Sequence, residues 1–416
     1  IQQPVFAGQN LWVLSDHEGW WQPWQIDLQT PLNHWTKAAV PDCDHANAPW
    51  QLGEVHHCLL PGGGWARAHY HLGRGELWLS GPDQPNPTRI APAFSDFRSL
   101  CTCGDFLYAI ARSPDRLDAV LKIDPRSAEA SAEVSVVAGG EPALPGYALA
   151  QPVSFRVPAL AREATAPQGF LYSPLTPGTE PPALILVAHG GPTSAAYPVF
   201  NPLIQFWCQR GFAVAEVNYR GSSGYGRAFR LALAQRWGEI DVEDMARAAD
   251  ALVAAGHADG NQVFIQGRSS GGYTALMALS LSQRYSAGAS QFGVTDPMQL
   301  RRMTHRFESG YLDWLLGCPD RHPQRWQART PRLRAAVMAA PVIFFQGGQD
   351  KVVVPEQTRI MVAAMEQAGR KPELHWFQNE GHGFLQQANQ AAMLDALYSF
   401  YRRHGRNTNE CIGSLG

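Results

Sequence analysis

The stretch Gly267-Arg268-Ser269-Ser270-Gly271-Gly272-Tyr273 carries the residue types that nucleophilic catalysis uses. An apolar run, Val263-Phe264-Ile265, comes before it and a helix-forming run, residues 274–279, comes after it, so the local reading is strand, sharp turn, helix. A serine at such a G-x-S-x-G turn sits in a strained backbone with its hydroxyl pointing away from the sheet. The glycines on either side let strand and helix approach without Cβ clashes. Gly and Ser are common, and the pentapeptide alone fits an ordinary strand-to-helix turn as well as a catalytic one. Its meaning rests on residues further along the chain.

A serine hydroxyl is a poor nucleophile at neutral pH and needs a histidine base, itself oriented by a carboxylate. The apolar run Val342-Ile343-Phe344-Phe345 leads into Gln346-Gly347-Gly348-Gln349-Asp350, and Leu374-His375-Trp376-Phe377 leads into Asn379-Glu380-Gly381-His382-Gly383-Phe384. Asp350 and His382 thus stand on two successive loops after strands, in the order Ser, Asp, His that α/β-hydrolases use. Taken singly, Asp350 also reads as a turn residue or cap before Pro355, and His382 as a loop histidine between glycines. Their joint order and placement favour chemistry. The reaction further needs N–H donors for the developing oxyanion. His189-Gly190-Gly191-Pro192 directly follows the apolar run Leu184-Ile185-Leu186-Val187-Ala188, so one donor is assigned to the Gly191 N–H, with Gly190 the neighbouring candidate. The other is assigned to the N–H of Ser270.

The elements that must position these residues change character along the chain. Residues 1–150 show short β-rich runs broken by Gly, Pro, Asp and Asn, paired at residues 11–16 with 20–27, 65–71 with 77–79, and 106–111 with 117–124. Such pairs, at a spacing of about 40 to 45 residues, are compatible with three to four β-propeller blades or with a β-sandwich of unrelated strands. From residue 151 to 404 strands and helices alternate, which predicts a mostly parallel, doubly wound sheet covered on both faces. Helices are expected at residues 241–255, 355–368 and 386–401, and a flexible tail at 405–416.

The 416 residues exceed one typical core, in keeping with two domains. A net charge of -2 with 17% charged residues offers no basic field, so no nucleic-acid partner is expected. No run reaches the ~18 apolar residues of a membrane span, and Ile1-Gln2-Gln3-Pro4 is not a signal-peptide start. Seven scattered cysteines read as free thiols of a reducing compartment, which makes cytoplasmic the expected location. Cys101-Thr102-Cys103 and His69-Tyr70-His71 each place two metal-ligating side chains on one strand face, the thiols expected to be buried. Without further ligands in view both read as packing residues, and no metal or organic cofactor is expected.

Taken together, H-G-G-P at 189–192, N-Y-R-G-S-S-G-Y-G at 218–226, G-R-S-S-G-G-Y at 267–273, G-G-Q-D at 347–350 and E-G-H-G-F at 380–384 resemble the prolyl oligopeptidase family of serine peptidases, in its acylaminoacyl-peptidase and dipeptidyl-peptidase-like branch. The match covers about residues 151–403. The resemblance implies a C-terminal α/β-hydrolase domain preceded by a β-propeller, short peptide substrates cleaved near their amino end, and homo-oligomers as a plausible state. Family propellers have about seven or eight blades, so the chain is expected to be N-terminally truncated, as its lack of an initiating Met also suggests. Tyr225 and Arg268 are weaker candidates to line the substrate site, against loop packing and a solvent-exposed guanidinium. The stretch 304–314, with Arg306, Phe307, Glu308 and Tyr311, lies where pocket elements often occur. Two other functions compete: a carboxylesterase-like hydrolase on the same scaffold, and a non-catalytic interaction protein, which the intact Ser269, Asp350 and His382 set disfavours.

Overall fold

The computed structural model describes residues 1–29, 34–82, 87–127, 134–161, 163–176, 178–304 and 306–405, the side chain of Phe307 excepted. The tail beyond residue 405, including Cys411, lies outside the described residues. The chain divides into two compact units. The first comprises Ile1–Ser154, Thr193–Pro202 and Ser222–Leu231; the second comprises Phe155–Pro192, Leu203–Gly221 and Ala232–Gly416.

Among its described residues the first unit holds three four-stranded antiparallel sheets, each built from strands consecutive in sequence. They are β1 (Gln2–Ala7), β2 (Asn10–Ser15), β3 (Gln22–Asp27) and β4 (Trp35–Lys37); then β5 (His57–Leu59), β6 (Trp65–His71), β7 (Arg74–Ser80) and β8 (Thr88–Ile90); then β9 (Asp96–Cys103), β10 (Phe106–Arg112), β11 (Ala119–Ile123) and β12 (Val134–Gly139). All three pairs of runs expected from the sequence are hairpins, β2 with β3, β6 with β7 and β10 with β11. The alternating residues Leu77 and Leu79 face inward with Leu107, Ala109, Leu121 and Ile123, forming one apolar cluster under the second and third sheets. Cys101 and Cys103 are exposed rather than buried. They lie at the hairpin end of β9, an edge strand, where Cys103 pairs with Phe106 beyond the reach of that cluster.

Two segments distant in sequence complete this unit. Thr193–Pro202 is tied in by Trp50 Nε1 donating to Thr193 Oγ1 (3.1 Å), Ser95 Oγ donating to the Pro198 carbonyl (2.6 Å) and Tyr197 Oη donating to Asn47 Oδ1 (2.8 Å). Ser222–Leu231 is tied in by the Gly226 amide donating to Asp44 Oδ2 (2.9 Å) and by an Arg230–Asp16 ion pair.

An eight-stranded sheet runs through the α/β region. Its strands are β13 (Val153–Arg156), β14 (Gln168–Tyr172), β15 (Leu184–Ala188), β16 (Ala213–Asn218), β17 (Val263–Arg268), β18 (Ala287–Gln291), β19 (Val342–Gly347) and β20 (Glu373–Phe377), in the order β13-β14-β16-β15-β17-β18-β19-β20. From β16 to β20 all neighbours are parallel, and β14 joins β16 antiparallel. The parallel strands β15 to β19 are nearly uniform in burial, as strands covered on both faces must be, whereas the edge strand β20 is only partly buried. Helices at Ile240–Ala254, Pro355–Gln367 and Gln387–His404 lie within two or three residues of their expected bounds.

β18 has no counterpart in the sequence reading. Its residues, Ala-Gly-Ala-Ser-Gln, are small and lack the β-branched run that signals a strand, yet all five are buried. The reason is close packing: a Cβ at Gly288 would stand 2.6 Å from Leu279 Cδ1 on the helix Ser270–Leu281. That helix is buried along nearly its whole length, from Ser270 to Ser280, so it shows no amphipathic stripe. β17 and its helix are thereby fixed at the centre of the second unit's apolar core.

Candidate active site

Ser269 sits between β17 and the helix Ser270–Leu281 with φ 53° and ψ -121°. This is a backbone state that side chains other than glycine adopt at a cost on the order of 1–3 kcal/mol. Three hydrogen bonds enforce it: the Ser269 amide donates to the Gln291 carbonyl (3.0 Å), and the Ser269 carbonyl accepts from the Tyr273 (3.1 Å) and Val294 (3.4 Å) amides. Gly271 is required where the helix crosses the sheet edge. A Cβ there would stand 2.1 Å from the Ala188 carbonyl oxygen and 2.8 Å from that of His189.

The His189–Pro192 loop lies against this turn: a Cβ at Gly190 would be 3.4 Å from the Arg268 carbonyl oxygen and 3.9 Å from Ser269 Cβ. Gly191 has φ 124°, a conformation that favours glycine, and the Gly191–Pro192 peptide is cis. Tyr219 holds the loop from below, its hydroxyl lying 3.0 Å from the His189 carbonyl oxygen and 3.1 Å from that of Pro192, with its ring stacked on His189 at 4.3 Å. Desolvation pushes the His189 imidazole down to about 4, opposed by the hydrogen bond with the Gly190 carbonyl. A neutral, stacked ring of this kind is spoken for structurally. Ser270 opens the helix, where the first N–H groups have no intrahelical acceptor and the helix dipole is positive. Gly191, Ser269 and Ser270 all line one cavity of about 80 Å³.

Asp350 and His382 meet as their loops predict. His382 Nδ1 is 2.8 Å from Asp350 Oδ2, with the carboxylate side chain fully buried and the imidazole 22% exposed. Asp350 Oδ1 accepts the amides of Val352 (2.8 Å) and Val353 (3.0 Å), and Gln346 Nε2 lies 3.3 Å from Oδ2. Val352 and Val353 are themselves walls of the Ser269 cavity, so the turn that Asp350 organises reaches the Ser269 side of the sheet. The His382 ring is braced edge-on by Phe292 at 4.8 Å. Phe292 follows Gln291, the residue whose carbonyl receives the Ser269 amide, and its own amide donates to Phe345 (2.7 Å). With Nδ1 committed to Asp350, Nε2 is the ring nitrogen left for proton transfer.

Two supporting residues escaped the sequence reading although they stand inside the family motifs. Glu380, two residues before His382, accepts the amides of Leu385 (3.0 Å) and Gln386 (2.9 Å) and the Asn389 side chain (2.8 Å), fastening the histidine loop to the start of the helix Gln387–His404. Its signal was an acidic residue just ahead of a helix N-terminus. Tyr219, in N-Y-R-G, had no local signal, because its partners lie 27 to 30 residues earlier. The remaining cavity walls are mostly apolar: Trp237, Val294, Leu300, Leu312 and Leu315, with Pro192, Thr304, Glu308 and Tyr311. The stretch 304–314 therefore contributes Thr304, Glu308, Tyr311 and Leu312. Arg268 and Tyr225 do not line this cavity. Arg268 is exposed, and its Nε donates to Gln291 Oε1 (3.0 Å). Tyr225 belongs to the first unit, with its ring 5.0 Å from Phe229.

The model of the prolyl oligopeptidase family matches residues 198–408. Among curated proteins, the chain is 28% identical over 240 residues to dipeptidyl peptidase family member 6 of Caenorhabditis elegans, covering 56% of this chain and 32% of that protein. It is 29% identical over 218 residues to dipeptidyl aminopeptidase BIII of Pseudoxanthomonas mexicana, covering 51% of this chain and 32% of that one. The chain thus spans about a third of the length of these relatives. The solved structure of a Mycobacterium tuberculosis puromycin-hydrolyzing peptidase superposes with a TM-score of 0.90 at 29% identity, over 97% of this chain and 62% of the other. By the span of the family match, joined to the elbow and the paired Asp350 and His382, this chain belongs to the prolyl oligopeptidase family.

Proposed function

We propose that the protein is a serine peptidase that hydrolyses short peptides near their amino end through an acyl-enzyme on Ser269. The observation that carries this reading is the assembly of a strained Ser269, with Gly191 and Ser270, on one cavity while His382 is paired to a buried Asp350 at 2.8 Å. Ser269 Oγ adds to the scissile carbonyl as His382 Nε2 takes its proton, and the Gly191 and Ser270 amides receive the oxyanion. His382 then protonates the departing amine, and a water molecule, deprotonated by the same nitrogen, releases the acyl group and restores Ser269. Asp350 keeps the Nδ1 proton in place throughout.

The walls formed by Trp237, Val294, Leu300, Leu312 and Leu315 suit an apolar side chain on the residue whose carbonyl is attacked. The three antiparallel meanders of the first unit are read as blades of a β-propeller. The six described cysteines, all free, agree with a reducing, cytoplasmic setting. The names of the relatives support action at the amino end.

A panel of aminoacyl anilides, acyl-aminoacyl anilides, puromycin and p-nitrophenyl esters tests the proposal. Amide turnover is expected, with a fluorophosphonate probe labelling Ser269, and Ser269→Ala is expected to lower turnover by several orders of magnitude without loss of folding. Turnover of esters with none of any amide would replace the peptidase reading by an esterase. A folded chain that neither turns over nor labels would make the protein non-catalytic.

A further inference from the structure

A second cluster of chemically capable side chains lies in the first unit, and the backbone explains why it forms. Asp44 and Tyr70 of β6 make an antiparallel bridge, with the Tyr70 amide donating to the Asp44 carbonyl (2.8 Å). Neighbours of a bridged pair point to the opposite face. Cys43 and His45, flanking Asp44, are therefore brought onto the same face as His69, which precedes Tyr70. Cys43 Sγ is 3.9 Å from His45 Nε2, the His45 and His69 rings are 5.1 Å apart, and one ligand atom from each of the three lies within 4.8 Å of the others. The three residues are 3%, 1% and 5% exposed.

Two observations separate this cluster from ordinary packing. His45 Nδ1 is buried with no hydrogen-bond partner among the described residues, so the ring is desolvated without compensation from them. His69 is oriented by a carboxylate: it pairs with Glu76 across β6 and β7, its Nε2 lies 3.2 Å from Glu76 Oε2, and Trp78 Nε1 donates to that oxygen (3.0 Å). A carboxylate behind an imidazole is the arrangement that fixes a metal-ligating histidine. The nearby cation Arg67 is stacked over Trp65 (5.2 Å) and Trp12 (5.9 Å), and Arg89 pairs with Glu76 Oε1 (3.2 Å).

We propose that Cys43, His45 and His69 bind one Zn²⁺ ion, with Glu76 orienting His69. One sulfur and two imidazole nitrogens are donors that Zn²⁺ takes readily, and a water molecule fills the fourth position. Tetrahedral zinc spaces its ligand atoms about 3.3–3.8 Å apart, so the cluster, whose ligand atoms lie within 4.8 Å of one another, contracts by about 1.5 Å at most. Binding converts the Cys43 thiol to a zinc-bound thiolate and releases its proton to solvent; both imidazoles bind through neutral nitrogen lone pairs, and nothing is oxidised or reduced. The ion would staple the segment around Asp44 to β6. In the sequence, His69-Tyr70-His71 lacked a third ligand because Cys43 and His45 lie more than twenty residues away; His71 faces solvent.

The test uses the full chain produced in zinc-supplemented medium and dialysed against metal-free buffer, with elemental analysis by mass spectrometry. About one zinc per chain is expected, falling below about a tenth in Cys43→Ser and in His69→Gln, while a Cys101→Ser, Cys103→Ser double variant retains it. Cobalt(II) introduced into the unsubstituted chain is expected to give a thiolate-to-cobalt charge-transfer band, a readout that needs no variant to fold. Zinc content no higher in the unsubstituted chain than in Cys43→Ser, or a cobalt spectrum without the thiolate band, would overturn the assignment.

Discussion

Replacing Asp350 by Asn isolates the tautomer argument from the packing around it, because the two side chains have the same shape. Asp350 Oδ1 serves the Val352 and Val353 amides, and Oδ2 serves His382 Nδ1. The carboxamide has two orientations. With its nitrogen towards Val352 and Val353, three donors would face one another and leave two buried amides without acceptors, at about 1–3 kcal/mol each. With its oxygen towards them, both bonds survive and the NH2 faces His382. Gln346 Nε2 is then turned from Oδ2 but keeps the Gly347 carbonyl (3.1 Å). The second orientation wins, and in it the amide donates to Nδ1, driving the histidine proton to Nε2. A ring protonated there cannot accept the Ser269 proton. The expected loss in kcat is on the order of 10⁴, or about 5.5 kcal/mol of transition-state stabilisation, with KM little changed and the melting temperature within a few degrees. Aminoacyl-anilide turnover and the rate of fluorophosphonate labelling measure it. A folded Asp350→Asn enzyme keeping more than ~10% of kcat would show that His382 is not oriented in this way.

Two further outcomes are expected. Gly271→Ala places a Cβ 2.1 Å from the Ala188 carbonyl oxygen, a backbone atom that cannot turn aside. The helix must move, costing about 1–3 kcal/mol or more in thermal unfolding and roughly 100-fold in turnover as Ser269 leaves its place; unchanged melting and kinetics would refute the close-packing argument. Asp241 is fully buried, and its carboxyl is pushed up to about 6 chiefly by burial, against hydrogen bonds from Thr274 and the Gly238 amide. A raised carboxyl stabilises the fold when protonated, so this contribution is complete below about pH 4 and is lost as pH rises through about 6. Asp241→Asn should therefore flatten the fall in denaturant stability between those limits, and identical slopes in the two proteins would contradict it.

What could be read from the sequence was whatever is encoded within a few residues. The strand–turn–helix around Ser269 declares itself by an apolar run, two glycines and a helix-forming run, and the Asp350 and His382 loops by their position after apolar strands. β18 did not, because its strand character comes from burial against Leu279 and not from its own side chains. The line drawn near residue 151 likewise follows the local pattern. Residues 193–202 and 222–231 join the first unit through bonds such as Ser95–Pro198 and Asp44–Gly226, which span more than a hundred residues. The assembly of Cys43, His45 and His69 is of the same kind, created by a single bridge between segments that are separate in the chain.

The interleaving of the two units bears on how the chain can be made. Six alternating segments mean that the polypeptide passes between the units five times. A ribosome working from the amino end therefore cannot release a finished first unit at residue 154, since the partners of Trp50, Ser95 and Asp44 are still unsynthesised. That unit closes only after residue 231, when β15 and β16 have already emerged but β17 and the turn after it have not. Ser269 is thus translated only after all three segments of the first unit, and a cut between residues 203 and 221 would deprive both units of segments that each requires.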